Sequence, residues 1–155
     1  MPYTSGHTER TKLSGETLPF MQRMWDLTHA LAVRSKHMAK TLGVTGPQRL
    51  VVRVVGRSPE MTASEIAATL GMHPSTLTGI LGRLAGRGIL ERNVDGADRR
   101  RARFRLTSLG KKIDRERKGT VEAAVRRALA RADASTIAKT SLMLAMLVEE
   151  LSRTA

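Results

Sequence analysis

The side chains with the most evident chemistry in this sequence are the basic residues between Arg83 and Lys118. That segment contains 13 Lys and Arg against five Asp and Glu, a local surplus of eight positive charges. The full chain of 155 residues carries 27 basic and 14 acidic side chains, for a net charge of +13. Such a surplus repels itself unless a polyanion neutralises it, and guanidinium groups bind phosphates. The composition therefore indicates a nucleic-acid-binding protein.

Other kinds of site find little support in the residue types. Cysteine is absent, which excludes thiol catalysis, disulfides and thiolate metal sites. The four histidines, at positions 7, 29, 37 and 73, show no metal-ligand spacing with acidic residues. We therefore expect no metal, no cofactor and no enzymatic activity. The longest apolar run, Leu142–Val148, is too short for a bilayer and the N-terminus has no signal segment, so we expect a cytoplasmic protein without membrane contact.

The N-terminal part of the chain is predicted to hold a flexible arm and a long helix. Residues 1–16 are polar, which is typical of an arm, whereas apolar residues recur at helical spacing over residues 17–45. Pro19 fits the first turn of this helix and Gly43 its end. Because the helix is longer than a small domain covers, we assign residues 17–45 to dimerisation. A short second helix, Gln48–Val55, is predicted next.

Two short helices joined by a glycine-containing turn are predicted in the middle of the chain. Thr62 and Glu65 have capping-box spacing at the start of the first helix, and Gly71 ends it. The second helix, Pro74–Ala85, carries Leu and Ile at positions that face inward. This pattern predicts a helix-turn-helix, whose second helix lies in the major groove of DNA.

Candidate DNA contacts lie on and around that second helix. They are His73, Ser75, Thr76, Thr78, Arg83 and Arg87. The residues at the start of the helix are placed to reach base edges or phosphates, although the hydroxyls at 75 and 76 have the alternative role of capping the helix. The two arginines either contact phosphates or pair with acids on neighbouring helices, and the sequence leaves both roles open.

A β-hairpin is predicted directly after these helices. Ile89–Val94 has the composition of a strand, and Arg101–Leu106 alternates arginine with apolar residues as a half-buried strand does. The hairpin tip spans Asp95–Arg100 and contains an Asp-Gly turn signal. A helix-turn-helix followed by such a hairpin is a winged helix, which we assign to residues 46–107.

The hairpin tip is expected to be the wing that reaches the minor groove. Arg99, Arg100 and Arg101 carry the charge there, and narrow A·T-rich minor grooves attract guanidinium groups. Asp98 has the wrong charge for a DNA contact. We expect it to pair with an arginine and shape the wing.

Residues 108–155 are predicted to form further dimerisation helices. Ser108 is placed to cap a long helix that extends to Leu129, and Asp133 to cap the next one. That last helix is apolar nearly all round and must be buried on several sides. A second copy of the chain is its natural cover. The predicted fold class is mainly α with a small β-hairpin wing.

Five segments of the sequence together resemble the MarR family of bacterial transcription regulators. They are Thr62–Gly71, Pro74–Thr78, Arg83–Arg92, Asp95–Arg100 and Leu106–Gly110. The Asp-Arg-Arg of the wing followed by Leu-Thr-x-x-Gly is the most specific part. With the flanking helices, the resemblance extends over about residues 17–153.

The resemblance implies a homodimer in which the N- and C-terminal helices interlock and each subunit presents one winged helix to double-stranded DNA. It also implies a pseudo-palindromic operator and, usually, repression. By analogy with the family, Arg99 is the minor-groove residue and Asp98 supports the wing. Many members are released from DNA by small aromatic anions. In this chain Trp25, His29 and Arg53 are the candidate residues of a pocket for such an anion. For His29, a purely structural role is the alternative.

Two departures from the family pattern favour a second hypothesis. Gly79 and Gly82 stand inside the second helix where the family often has Arg and Asp, and each glycine costs about 1 kcal/mol relative to alanine. Either base readout is weaker, or the glycines allow a close helix approach. The alternative function is therefore a nucleoid-type or RNA-binding protein with little sequence specificity.

Overall fold

The protein is mainly helical with one small sheet, as the sequence predicts. The computed structural model describes residues 6–94 and 102–153, with side chains from Gly15 onward. The helices are α1 (Gly6–Thr41), α2 (Gly46–Arg57), α3 (Ala63–Leu70), α4 (Pro74–Gly86), α5 (Ser108–Arg115), α6 (Val121–Leu129) and α7 (Ala134–Ser152). The strands are β1 (Met61–Thr62), β2 (Leu90–Asn93) and β3 (Arg103–Leu106). The chain divides into two compact units between Glu116 and Arg117.

The core of the first unit lies between α2, α3, α4 and the sheet. Its fully buried side chains are aliphatic, among them Val51, Ile66, Leu77 and Leu84. On β3, Phe104 and Leu106 are buried and the arginines between them are exposed, as the alternating pattern predicts. Close packing of these aliphatic side chains fixes the angles between the helices and the sheet.

The sheet has three antiparallel strands in the order β1–β3–β2. The predicted hairpin pairs Leu90 with Leu106 and Asn93 with Arg103. The third strand, β1, pairs Met61 with Phe104 and was missed, because two residues are too few to show a period.

Helix α1 differs from the prediction at its start. It begins at Gly6, so residues 6–16 are helical and the prediction of a flexible arm is wrong for them. A polar segment without proline meets the backbone requirements of a helix, and low apolar content is a weak argument against one. Pro19 consequently lies inside α1, not in its first turn, and the helix lacks the hydrogen bond that an amide at 19 would donate.

Helix α2 buries one face that combines valines with an arginine. Val51, Val52 and Val55 are buried, whereas Leu50 is 48% exposed. Arg49 lies on the buried face and is only 1% exposed. It donates hydrogen bonds to backbone oxygens at the end of α5, those of Ile113, Asp114 (3.2 Å) and Glu116 (2.6 Å). The Ile113 oxygen also accepts the Glu116 amide (3.2 Å), so the arginine adds a charged donor at the C-terminus of α5 and fixes that helix against α2.

The predicted long helix after the wing is two helices. Thr107, not Ser108, is the N-cap of α5, and its hydroxyl accepts a hydrogen bond from the Gly110 amide (3.1 Å). The helix ends at Arg115, and α6 begins only at Val121 behind the N-cap Thr120. The apolar periodicity of the two helices reads as one pattern, because the intervening turn carries no proline.

The second unit contains α6 and α7. Asp133 is the N-cap of α7 as predicted, and its carboxylate accepts a hydrogen bond from the Thr136 amide (2.9 Å). No residue of α7 is buried, although the helix carries six large apolar side chains that are each at least 44% exposed. Within the described residues, no helix combines the length and the apolar character that crossing a membrane requires.

Candidate nucleic-acid interface

The turn between α3 and α4 fixes the helix-turn-helix. Thr62 and Glu65 form the predicted capping box at the start of α3, and Gly71 ends that helix in the left-handed conformation (φ +60°). The Glu65 carboxylate accepts hydrogen bonds from the amide (2.7 Å) and hydroxyl (2.9 Å) of Thr62. These bonds hold the pKa of Glu65 below its ordinary value.

The exposed face of α4 begins with hydroxyl side chains. Ser75, Thr76 and Thr78 are exposed, while Leu77 on the same turn is 1% exposed and anchors the helix to the core. The Thr78 hydroxyl donates to the Pro74 carbonyl (2.9 Å), which leaves the oxygen lone pairs outward. The structure therefore brings these three predicted residues together on one surface.

His73 caps α4, a role that the sequence analysis considered only for Ser75 and Thr76. Its Nδ1 accepts the Ser75 amide (3.3 Å) and lies 2.8 Å from the Ser75 hydroxyl. Because Nδ1 accepts the amide proton, the Nε2 atom of the exposed ring is the donor. The site thus presents an imidazole N–H donor beside the hydroxyls.

Arg83 and Arg87 are both exposed, but their contacts differ. Arg83 is exposed, and its guanidinium lies near Gly79 on the same helix. Arg87, the C-cap residue of α4, donates a hydrogen bond through Nη1 to the backbone oxygen of Gly43. The partner of Arg87 is thus a carbonyl group and not an acidic side chain, and its phosphate contact stays a prediction.

Gly79 and Gly82 have open space where a side chain would stand. A Cβ atom at Gly82 would meet nothing within 4 Å, and one at Gly79 only the Arg83 side chain at 3.7 Å. The described residues therefore supply no close helix approach that would require glycine at either position.

The arginines of β3 are held by acidic residues. Arg105 pairs with Glu91, which lies opposite it on β2, and lies 3.8 Å from Glu60. Arg103 donates to the backbone oxygen of Glu60 (2.9 Å), and Glu60 has a left-handed backbone (φ +68°). The Glu91–Arg105 pair was predictable from the hairpin register, whereas Glu60 gave no signal in the sequence. The hairpin tip with Asp98, Arg99, Arg100 and Arg101 lies outside the described residues.

The three candidate effector-binding residues do not form one site in this structure. Trp25 is 63% exposed and His29 is exposed, both on α1. Arg53 pairs with Asp114 of α5 through an Nη1–Oδ1 distance of 2.6 Å. Within residues 6–94 and 102–153, no cluster of three or more His, Asp or Glu side chains could hold a metal ion.

Comparison with known proteins identifies the class. The fold is that of S. aureus MepR bound to DNA (18% identity, 88% of this chain and 99% of that chain, TM-score 0.69). It is also that of PcaV from Streptomyces coelicolor bound to its natural ligand (21% identity, 96% of this chain and 98% of that chain, TM-score 0.68). The Mycobacterium tuberculosis MarR-family protein Rv2887 in complex with salicylic acid is similar too (24% identity, 80% of this chain and 92% of that chain, TM-score 0.51). At these identities the likeness establishes a winged-helix fold.

The family follows from the sequence of the winged helix itself. Residues 42–101 match the model of the MarR family. This match assigns the winged-helix part of the chain to the MarR family, whose members are DNA-binding transcription regulators and not enzymes. The resemblance predicted from the motifs is thereby confirmed. No curated protein sequence matches the chain.

Proposed function

We propose that the protein is a homodimeric, sequence-specific repressor of transcription that binds a pseudo-palindromic operator in double-stranded DNA. In this proposal α4 lies in the major groove and the Arg-rich wing lies in the minor groove. The observation that carries the proposal is the two-sided character of α4, whose buried Leu and Ile side chains fix it to a rigid core. Its opposite face exposes Ser75, Thr76 and Thr78, with His73 beside them.

These side chains are suited to contacts in the major groove of DNA. Hydroxyl groups both donate and accept, so they bond to base edges, while the Nε2 donor of His73 suits an acceptor such as a phosphate oxygen or a guanine edge. Arg83 is placed for a phosphate contact. For the wing, we propose that Arg99 enters the minor groove, that Arg100 and Arg101 bind the adjacent phosphates, and that Asp98 shapes the tip.

The dimer is proposed from uncovered apolar surface. On α1, Leu18, Trp25, Leu27 and Val33 are each more than half exposed. On α7, Leu142, Val148 and Leu151 are each 63% or more exposed. A monomer that exposed both helices would lose the hydrophobic free energy of their burial, and a second copy offers matching surfaces. Twofold symmetry then requires an inverted-repeat operator.

A small aromatic anion is the proposed effector. Salicylic acid is such an anion and is bound in the Rv2887 structure. For this chain we propose that Trp25 and His29 contribute to the effector site in the dimer. Arg53 would join them only by exchanging its ion pair with Asp114, so it is the weakest of the three candidates.

Selection of bound fragments from genomic DNA tests the proposal. The wild-type chain should recover an inverted repeat, and Arg99→Ala should bind that repeat at least tenfold more weakly, the scale of one lost specific contact. Arg131→Ala is the matched control, because it removes the same charge from an exposed turn between α6 and α7. Equal affinity of Arg99→Ala and wild type would rule out the wing assignment, and a chain that sediments as a monomer would rule out the dimer.

A nucleic-acid-binding protein without sequence choice is the second candidate, and the glycines of α4 favour it. Gly79 and Gly82 leave part of the exposed helix face without side chains, so fewer groups are available to read bases. In that case the recovered fragments would share no motif. Binding would still weaken steeply with salt, because log K falls by about 0.9 for each phosphate contact per log unit of salt in both cases.

A further inference from the structure

We infer that Arg87 is a positioning residue whose hydrogen bond to Gly43, called the clasp below, links the end of α1 to the end of α4. We also infer that the clasp sets the angle at which α4, the proposed recognition helix, meets DNA. The inference rests on the proposed function for its DNA readout, although the clasp itself is a feature of one chain. It gives a third role to a residue for which the sequence leaves open a phosphate contact and an ion pair.

The contact joins the C-terminal ends of two helices. Arg87 is the C-cap residue of α4, and its Nη1 atom donates to the backbone oxygen of Gly43, two residues after α1 ends. Carbonyl groups at a helix C-terminus lack intrahelical partners and carry partial negative charge, so a guanidinium is well suited to this place. The contact therefore holds both helix ends with one side chain.

Gly43 is adapted to the clasp in two ways. Its backbone is left-handed (φ +73°), a conformation that glycine adopts without strain. A Cβ atom at this position would lie 2.9 Å from Nη2 of Arg87. The guanidinium thus occupies the space that a side chain would need, and any other residue at 43 would displace it.

A second bond secures the same end of α1. The Gly46 amide at the start of α2 donates to the Ser35 hydroxyl on α1 (2.8 Å). Together with the buried Met38, this bond fixes the last turns of α1 against α2. Arg87 adds the link from α1 to α4. Because α1 carries apolar surface proposed for the dimer, the link transmits the dimer geometry to the recognition helix.

A positioning role and a phosphate role predict different behaviour in DNA binding. The probes are a duplex with the inverted repeat recovered by the fragment selection and duplexes with one or two base pairs inserted between its half-sites. A lost phosphate contact weakens binding to all of these duplexes by the same factor. It also lowers the slope of log K against log salt by about 0.9. A lost clasp weakens binding to the correct spacing most, and it leaves the salt slope unchanged.

We therefore expect Arg87→Ala to lose about 3- to 30-fold in affinity for the correct spacing and to discriminate less between spacings, the scale of coupling through a packed element. Arg87→Lys, which keeps one donor, should restore part of the discrimination. Arg83→Ala is the matched comparison on the same helix and should show the phosphate pattern. A uniform loss with a reduced salt slope in Arg87→Ala would overturn the inference.

Hydrogen exchange tests the clasp without DNA. In Arg87→Ala the amides at the end of α1, including that of Leu42, should exchange faster than in wild type, whereas Arg83→Ala should leave them unchanged. Unchanged exchange in Arg87→Ala overturns the clasp. A wild-type chain that prefers no spacing refutes the proposed function, while faster exchange in Arg87→Ala would still confirm the clasp.

Discussion

The replacement Arg49→Met is expected to be the most destabilising single change in α2. Arg49 is 1% exposed and donates to three backbone oxygens at the end of α5. Methionine is also unbranched and fills part of the same space, but it has no donor. The carbonyl groups remain after the substitution and lose a charged donor, although the Ile113 oxygen keeps the Glu116 amide and the Asp114 oxygen keeps Arg53 (3.4 Å).

The size of the effect follows from those oxygens. A hydrogen bond that involves a charged group contributes about 1.5–3 kcal/mol. The bond to Ile113 is fully buried, whereas those to Asp114 and Glu116 are partly buried, so water offsets some of their loss. We expect the free energy of unfolding to fall by about 3 kcal/mol, a large share of the roughly 5–15 kcal/mol that holds a domain folded.

Urea unfolding followed by circular dichroism measures this change, and α2 supplies two matched controls. Arg53→Met removes a partly exposed ion pair with Asp114 and should cost under about 1 kcal/mol. Arg57→Met alters an exposed side chain and should stay within about 0.5 kcal/mol of wild type. If Arg49→Met were no more destabilising than Arg57→Met, the role of Arg49 as the cap of α5 would be refuted.

Four further substitutions test other contacts. Gly79→Ala and Gly82→Ala should each raise the free energy of unfolding in urea by about 1 kcal/mol, since alanine favours a helix and open space surrounds both sites. A lower free energy of unfolding in either variant would contradict the open space at that glycine. Gly110→Ala should lower it by about 1–3 kcal/mol, because its Cβ would lie 2.2 Å from the Ile89 oxygen; wild-type stability would contradict that approach. Hydrogen bonds from the backbone and hydroxyl of the α3 N-cap lower the pKa of Glu65, so its stabilisation is complete above the ordinary value of 4.5 and is lost as the pH falls through the lower folded-state value. Thermal unfolding of Glu65→Gln across this range should vary less with pH than wild type, and parallel profiles would contradict the assignment.

Local signals in the sequence were enough to locate the helix-turn-helix and its hairpin. The capping box at Thr62, the glycine at 71 and the proline at 74 each act within one turn of the chain, so their structural effect does not depend on distant residues. The alternation along β3 likewise reports directly which residues face the core. These features place Ser75, Thr76 and Thr78 on the exposed start of the second helix from the sequence alone.

The features that were missed depend on pairing between distant segments. β1 exists only because it lies against β3, some forty residues further along the chain. Arg49 reads as a surface residue until α5 supplies carbonyl groups 64 or more positions away. Its spacing from Val52 and Val55 did place it on the buried face of α2, but a buried arginine is expected only when its partners are known.

Net charge is therefore an incomplete guide to the DNA-binding surface of this protein. The surplus of charge between residues 83 and 118 includes Arg87, Arg103 and Arg105, and each of these makes a contact inside the chain. A guanidinium that already bonds a carbonyl or a carboxylate keeps other N–H donors, but its first partner restricts where it can meet a phosphate. We propose that the charge that binds DNA comes mainly from Arg83 and from the arginines of the wing tip. A scan of arginine variants that scored affinity alone would place Arg87 in the interface, whereas spacing preference and salt slope separate the arginines that bind DNA from those that position the helix.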